Sequence, residues 1–368
     1  MPHLFEVSHK QIEQLDAVQL TDLLRRLLLL EAAQRGIARS AVEVSLKIDV
    51  PDGGEDGHIE WEDGPEPESW LPHRVTLYQV KSKEMSAEDC AKEVRKPGTR
   101  QLKDRVQAVV EVKGAYVLFY GKACNPQQKT SWVKRIRESF EDAQVVNASS
   151  AHIEIFDSGQ IANWTNEHLA AAAFVLSRIG QPIPAGMMVW ETWRDYDEHQ
   201  LPYVADETLN SYIAALQSHF AAPRKVTQII GLSGLGKTRL ALETFRPPSD
   251  QTFDPTLAAF SRSAAYIDAR SCASLPAELQ RLRASGVQGI LIVDECELTL
   301  HERLAREVKH GESQLSLLTL DLDSDSCGPG SDLCIRLDRM NDSIIEGLVK
   351  QTHPQLLDND WRCVVKFV

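Results

Sequence analysis

Val226-Thr227-Gln228-Ile229-Ile230-Gly231-Leu232-Ser233-Gly234-Leu235-Gly236-Lys237-Thr238 is the stretch from which the fold can be read. Val226 to Ile230 fits a buried strand, Gly231 to Thr238 fits G-x-x-x-x-G-K-[ST], and Arg239 to Phe245 continues in a helical pattern. A glycine-rich turn between a strand and a helix lets backbone N–H groups close around phosphate oxygens, and the helix N-terminus adds its positive dipole end. The loop residues Gly231, Ser233, Gly234, Leu235 and Gly236 are therefore expected to cradle ATP, with Lys237 reaching the β- and γ-phosphates and Thr238 ligating Mg²⁺.

Downstream, Ile290-Leu291-Ile292-Val293-Asp294-Glu295 reads as a buried strand ending in two acids, the form of a Walker B element. Asp294 is expected to hold the Mg²⁺ and Glu295 to polarise the attacking water. Further strands are expected at Ala265 to Ile267 and Leu315 to Leu322, followed by two short helical patterns. Such β/α alternation predicts a parallel α/β sheet. Because a strand intervenes between the two motifs, the pattern is that of P-loop ATPases with an added central strand.

Gly231 to Phe245 resembles the P-loop of STAND ATPases, the NACHT-like and apoptotic-type switch proteins. The resemblance covers Asp206 to the C-terminus. It departs from the family at Asp321 and Asp323, where many relatives place a sensor arginine, so no sensor residue is assigned. The chain stops in a helical pattern, Trp361 to Val368, before the winged-helix and repeat-type sensor regions of complete STAND proteins, and is expected to be a truncated product.

The amino-terminal part carries a more scattered pattern. Leucines and alanines at helical spacing predict a long first helix from Ile12 to Arg35, with Glu31 following Leu27 to Leu30. Strands are expected at Val42 to Val50 and Arg74 to Val80, separated by the turn Pro51 to Gly57 and an acidic loop from Glu60 to Glu68. A basic helical stretch, a strand at Ala115 to Tyr120, a helix at Trp132 to Phe140, a strand at His152 to Phe156 and a helix at Asn166 to Ile179 follow.

Asp56, after Gly53-Gly54, can ligate a divalent cation with hard oxygen, and Gln79 and Lys81 share a strand face because side chains alternate with period two. Lys81 can orient or deprotonate water and stabilise charge on phosphorus, and Glu31 can supply a further metal-binding acid. This order resembles the PD-(D/E)XK nuclease core in its Q-x-K variant, with Gln79 replacing a second acid. Read whole, residues 1–180 resemble the Mrr-like restriction-endonuclease domains that bacterial defence proteins carry, with Ile155 to Trp164 as the closing strand-helix element. Between Lys81 and Arg105, eight basic residues against five acids form a phosphate-tracking surface or an ordinary solvated helix.

The prolines and glycines of Gly180 to Gly186 mark a boundary. The expected organisation is thus a restriction-endonuclease-like α/β/α domain over 1–180, a connector over 181–205 and a P-loop NTPase parallel-sheet domain over 206–368. Together the resemblances imply a bacterial antiphage protein in which ATP and Mg²⁺ drive assembly, to a tetramer, and the nuclease cuts double-stranded DNA once a C-terminal sensor meets a phage protein. Two other readings stay open: an ATP-powered restriction endonuclease, and a nucleotide-gated scaffold with a decayed nuclease fold.

Composition narrows the remaining choices. A net charge of −13 argues against coating nucleic acid by bulk electrostatics, so DNA contact must be local. Seven scattered cysteines without a C-x-x-C pair argue against a disulfide framework or a zinc site. The longest purely apolar run, Leu169 to Leu176, is far short of the roughly 20 residues that span a bilayer. With no secretory signal at Met1 to Glu6, a cytoplasmic protein is expected.

Overall fold

A computed structural model of the chain describes residues 6–45, 56–180, 187–195, 203–204, 206–246, 260, 262–311, 313–321, 327–338, 345 and 347. The chain divides into two compact units, Met1–Gln181 and Pro182–Val368.

The first unit opens with a short helix α1 (His9–Ile12) and a long helix α2 (Ala17–Gln34). The expected single helix is split because Asp16 caps α2: its carboxylate accepts the Gln19 N–H at 2.8 Å, while Gln19 returns a bond to the Asp16 N–H. Strands β1 (Val42–Val44), β2 (Gly57–Glu60), β3 (Val75–Lys81), β4 (Ala115–Tyr120) and β5 (His152–Phe156) form one sheet in that order. The first three pair antiparallel, and β4 and β5 add in parallel. Helices α3 (Ala87–Val94) and α4 (Asp104–Glu111) connect β3 to β4, and α5 (Pro126–Asp142) connects β4 to β5. The chain closes with α6 (Ser158–Asn166) and α7 (Leu169–Arg178).

Alternation along the strands divides the core between two helical layers. Leu77, Tyr116, Leu118 and Tyr120 pack with Val94, Val109, Trp132 and Phe140 of α3, α4 and α5. On the opposite face Phe119 and Phe156 meet Trp164 of α6 edge-on, and Tyr78 lies beside Leu24 of α2 at the site of Gly57. Differences from the sequence expectation are local. Strand β2 occupies residues read as turn and loop, the basic stretch breaks into α3 and α4 around Pro97-Gly98, and α6, the helix of the Ile155 to Trp164 element, runs on to Asn166, so that α7 starts at Leu169. Gly53, Gly54 and the distal part of the Val42 to Val50 strand lie outside the described residues.

In the second unit, β6 (Met188–Val189), α8 (Trp190–Arg194), α9 (Glu207–His219), β7 (Val226–Ile230), α10 (Lys237–Thr244) and β8 (Ala264–Asp268) come first. They are followed by α11 (Leu275–Ala284), β9 (Gln288–Asp294), α12 (Leu298–Lys309), β10 (Gln314–Asp321) and β11 (Leu333–Arg336). The sheet order is β11-β7-β10-β9-β8-β6, parallel throughout except for β6.

Three expectations change here. The strand intervening in sequence between the two motifs, β8, lies outside β9; the strand between them in space is β10. Residues read as connector carry β6 and α8, and β6 pairs with β8, so that segment belongs to the sheet. After β10 the chain returns as strand β11 beside β7, a strand that the sequence reading did not include. Cys327 and Cys334 are bonded across the turn into β11, one local bridge where none was anticipated. Asp323 and the Trp361 to Val368 pattern lie outside the described residues. Among the described residues no helix is long and apolar enough to cross a membrane.

Candidate functional site

The loop from β7 to α10 begins at Gly231, where a Cβ would stand 2.5 Å from the Leu337 carbonyl oxygen, too close for any side chain. It ends at Gly236, which caps α10 with φ +88, a left-handed conformation that favours glycine. Ser233 and Gly234 are exposed on the crest, and Leu235 is half-buried. Lys237 opens α10 almost fully buried, and its ammonium donates to the carbonyls of Gly231 at 2.7 Å and Leu232 at 2.9 Å. Burial pushes the Lys237 pKa down, against the upward pull of Asp294, Glu295 and Asp321. A lysine cation is thereby held under a loop whose backbone curls around it.

Thr238 stands beside it, and its hydroxyl donates to Asp294 Oδ2 at 2.8 Å. That oxygen also accepts the Tyr266 hydroxyl at 3.0 Å, while Asp294 Oδ1 accepts the Glu295 N–H at 2.8 Å. Glu295 follows β9 with φ +52, so the chain turns sharply at the second acid. The hydroxyl and carboxylate oxygens of Thr238 and Asp294 are hard donors of the type Mg²⁺ takes. Asp321, at the end of β10, accepts from the Gln228 side-chain amide at 3.4 Å; Gln228 Oε1 in turn accepts the Gly328 N–H at 2.6 Å. Sequence reasoning missed Tyr266. Its contact with Asp294 depends on β8 lying beside β9 in register, Tyr266 opposite Ile292, which no local pattern encodes.

In the first unit, Asp56 precedes β2 and joins β3 through its backbone, donating its N–H to the Tyr78 carbonyl at 3.1 Å. Its Oδ2 accepts the Val80 N–H at 2.7 Å and the Gln79 side-chain amide. Gln79 is buried, and its Oε1 has no hydrogen-bond partner. An acceptor buried without a donor is costly, and a cation is one group that would satisfy it. Asp56 and Gln79 are therefore brought together. Lys81 instead holds Glu93 of α3, with Nζ 2.9 Å from Oε2, and Lys103 approaches the same oxygen at 3.7 Å. Glu93 was not singled out in the sequence. Helical spacing places it on α3, but only the packing of α3 on the Gln79 and Lys81 face brings it to the lysine.

Glu31 does not join Asp56. Its Oε1 accepts the Trp164 indole N–H at 2.9 Å and meets His168 Nε2 at 3.1 Å, and Oε2 lies 3.3 Å from Arg35 Nε. Helix α2 packs on the Tyr78 face, opposite that of Gln79 and Lys81, so the carboxylate of Glu31 is spent on α6 and the start of α7. Burial raises the Glu31 pKa, but the bonds from His168 and Trp164 and the charge of Arg35 more than offset this, and the net shift is downward. Among the described residues no three His, Cys, Asp or Glu side chains gather as metal ligands. The basic segment is largely neutralised: Lys92 pairs with Asp89, Arg95 with Asp142, and Lys96 with Asp104.

No protein-family model matches the chain, and no curated protein does. Several solved structures resemble part of the chain at low sequence identity. PCH-2 of C. elegans is 10% identical over 43% of this chain and 50% of its own, with TM-score 0.31. Orc1 of Aeropyrum pernix, solved in complex with DNA, is 14% identical over 46% and 54%, also at 0.31. A STAND protein with a tetratricopeptide repeat sensor from Pyrococcus horikoshii is 13% identical over 45% and 28%, at 0.28. The chain thus spans at most about half of each of these proteins. The second unit has a parallel-rich sheet with a P-loop between β7 and α10, the arrangement of a P-loop NTPase.

Proposed function

We propose that the chain couples an ATP-binding switch to a metal-dependent DNA endonuclease, as the STAND and PD-(D/E)XK resemblances imply. The observation that carries the nucleotide half is the convergence of Lys237, Thr238 and Asp294 at the head of α10. The loop N–H groups and the end of α10 receive phosphate oxygens, and Lys237 turns from the loop carbonyls to the β- and γ-phosphates. A bound Mg²⁺ supplies charge neutralisation at those phosphates, and Thr238 and Asp294 would hold it. Glu295 accepts a proton from the attacking water.

The nuclease half rests on the Asp56 and Gln79 pair and the buried Gln79 Oε1. Asp56 and Gln79 would hold a divalent metal there, which supplies Lewis-acid help, and Lys81, released from Glu93, would stabilise charge on phosphorus. Double-stranded DNA is the substrate in this reading, a phage protein is the trigger, and a tetramer is the active form. A second reading, a nucleotide-gated scaffold, is favoured by the Lys81 and Glu93 ion pair and by the neutralised basic segment. Binding of a fluorescent ATP analogue tests the nucleotide half: Lys237→Ala is expected to weaken it about 100-fold, the upper range for a lost charge-assisted bond. Equal binding by the variant would overturn that assignment.

A further inference from the structure

The Asp294 carboxylate is more tightly held than the phosphate chemistry by itself explains. A carboxylate has about four acceptor positions. Three are filled, by the hydroxyls of Thr238 and Tyr266 and the N–H of Glu295. Thr238 and Glu295 belong to the two motifs; Tyr266 comes from neither. Its ring is almost fully buried and stacks on Trp193 with centroids 4.3 Å apart and planes 19° apart. Trp193 is itself buried in α8, and the adjoining β6 pairs with β8 so that Met188 stands opposite Tyr266. Helix α8 has a second anchor on the same site, because the Trp190 indole N–H donates to the Leu242 carbonyl of α10 at 2.9 Å. The segment that enters this unit therefore touches both the helix that follows the phosphate loop and the tyrosine that grips the metal-binding acid.

We propose that Tyr266 is a positioning residue for the Asp294 carboxylate, and that its stack on Trp193 ties the β6 and α8 segment to the metal and nucleotide site. This deepens the nucleotide reading and rests on it. With its rotation fixed on three sides, Asp294 offers one remaining acceptor position, on Oδ1, for a metal-bound water. Loss of the Tyr266 hydroxyl removes one of the two bonds to Oδ2, and the carboxylate, held by Thr238 and the Glu295 N–H alone, is less firmly oriented. Movement of Asp294 on metal binding would be carried by Tyr266 through its ring stack into α8. The charge on Lys237 and the phosphate grip of the loop do not pass through Tyr266, so metal-free nucleotide binding is independent of it.

Calorimetric titration of ATP, with Mg²⁺ and with a chelator, tests this on wild type, Tyr266→Phe and Trp193→Phe. Tyr266→Phe keeps the ring and deletes one hydrogen bond to a charged group, so the Mg²⁺-dependent gain in ATP affinity should shrink about tenfold while the metal-free affinity stays. The fluorescence change of the wild type on adding Mg²⁺ and ATP should fall in Tyr266→Phe, which keeps every tryptophan, Trp190 and Trp193 of α8 included. An unchanged Mg²⁺-dependent gain in Tyr266→Phe, with wild-type circular dichroism, overturns the proposal and leaves the nucleotide reading intact. If Tyr266→Phe does not fold, Trp193→Phe decides: a reduced Mg²⁺-dependent gain supports the coupling, and an unchanged one overturns it. A wild type that binds no ATP overturns the nucleotide reading and this proposal together.

Discussion

The carboxylates of Asp294 and Asp56 are each held by a backbone N–H, at 2.8 and 2.7 Å, yet their other partners differ in kind. Asp294 Oδ2 faces two hydroxyls, those of Thr238 and Tyr266; Asp56 Oδ2 faces the amide of Gln79. A hydroxyl oxygen both donates and accepts, so Thr238 can keep its bond to Asp294 and still offer a lone pair to a cation. An amide nitrogen only donates. For Gln79 to ligate a metal beside Asp56, its Oε1 must do so, and the amide must turn or the metal must come to the buried oxygen. In the proposed reading Thr238 and Asp294 would take a metal with their present bond kept, whereas the first unit would need a rearrangement at Gln79 and the release of Lys81 from Glu93.

Predictions follow from that contrast, the largest effect first. Asp56→Ala should abolish Mg²⁺-dependent plasmid cleavage, a loss of about 1000-fold or more if the acid supports metal catalysis, while ATP binding persists. Full cleavage by this variant, read on agarose gels, removes the Asp56 assignment, whereas a wild type that cleaves nothing leaves the scaffold. In the second unit, Glu295→Gln should slow ATP hydrolysis about 100-fold, as for loss of a general base, with ATP affinity retained. Phosphate release and calorimetry measure the two separately, and an undiminished rate moves the base elsewhere.

Glu31 sharpens the comparison from the structural side. Truncating a buried, ion-paired carboxylate leaves His168 and Trp164 without their acceptor and Arg35 with Glu68 alone, so Glu31→Ala should cost the first unit about 3 kcal/mol in chemical denaturation. A variant of wild-type stability that loses only cleavage would return Glu31 to the metal site.

The smallest expected effect is a difference in acid sensitivity. Burial lowers the His301 pKa below its ordinary 6.5, against the pull of Asp321 and Glu302, while its ring bonds Thr319 at 2.7 Å and Ser331 at 2.9 Å. Below about pH 6.5 the unfolded chain takes up a proton that the folded site resists, so the second unit loses stability as pH falls through that window. Glu31 is shifted down from 4.5, so its contribution is present above that value and is lost only as pH falls through its lower folded pKa. Thermal melts between pH 7.5 and 5.5 should show the second unit softening first, and His301→Asn should flatten that slope; an unaltered slope assigns it to other groups.

How much of each site was legible follows from the same geometry. Gly231 to Thr238 are contiguous, and a strand, a glycine turn and a helix start place Lys237 and Thr238 by local backbone geometry. Asp56 and Gln79 are separated by an acidic loop and two strands, and their contact depends on the β2 and β3 register, Gly57 opposite Tyr78. Glu31 shows the limit of order as a guide. It has the sequence position of a site acid, but helical rotation and the packing of α2 on the Tyr78 face give its oxygens to Trp164 and His168 instead.

The sequence alone determined what neighbouring residues can enforce on one another: the phosphate-type loop, the acid pair closing β9, and the alternation of strand and helix. Only the tertiary structure decided that β10 separates β7 from β9, that β6 and α8 complete the second sheet, that Tyr266 grips Asp294, and that Glu93 meets Lys81. The reason is physical. Periodicity tells which face of an element is buried, but the partner on that face is chosen by strand order and register, and those are set by the packing of the whole unit.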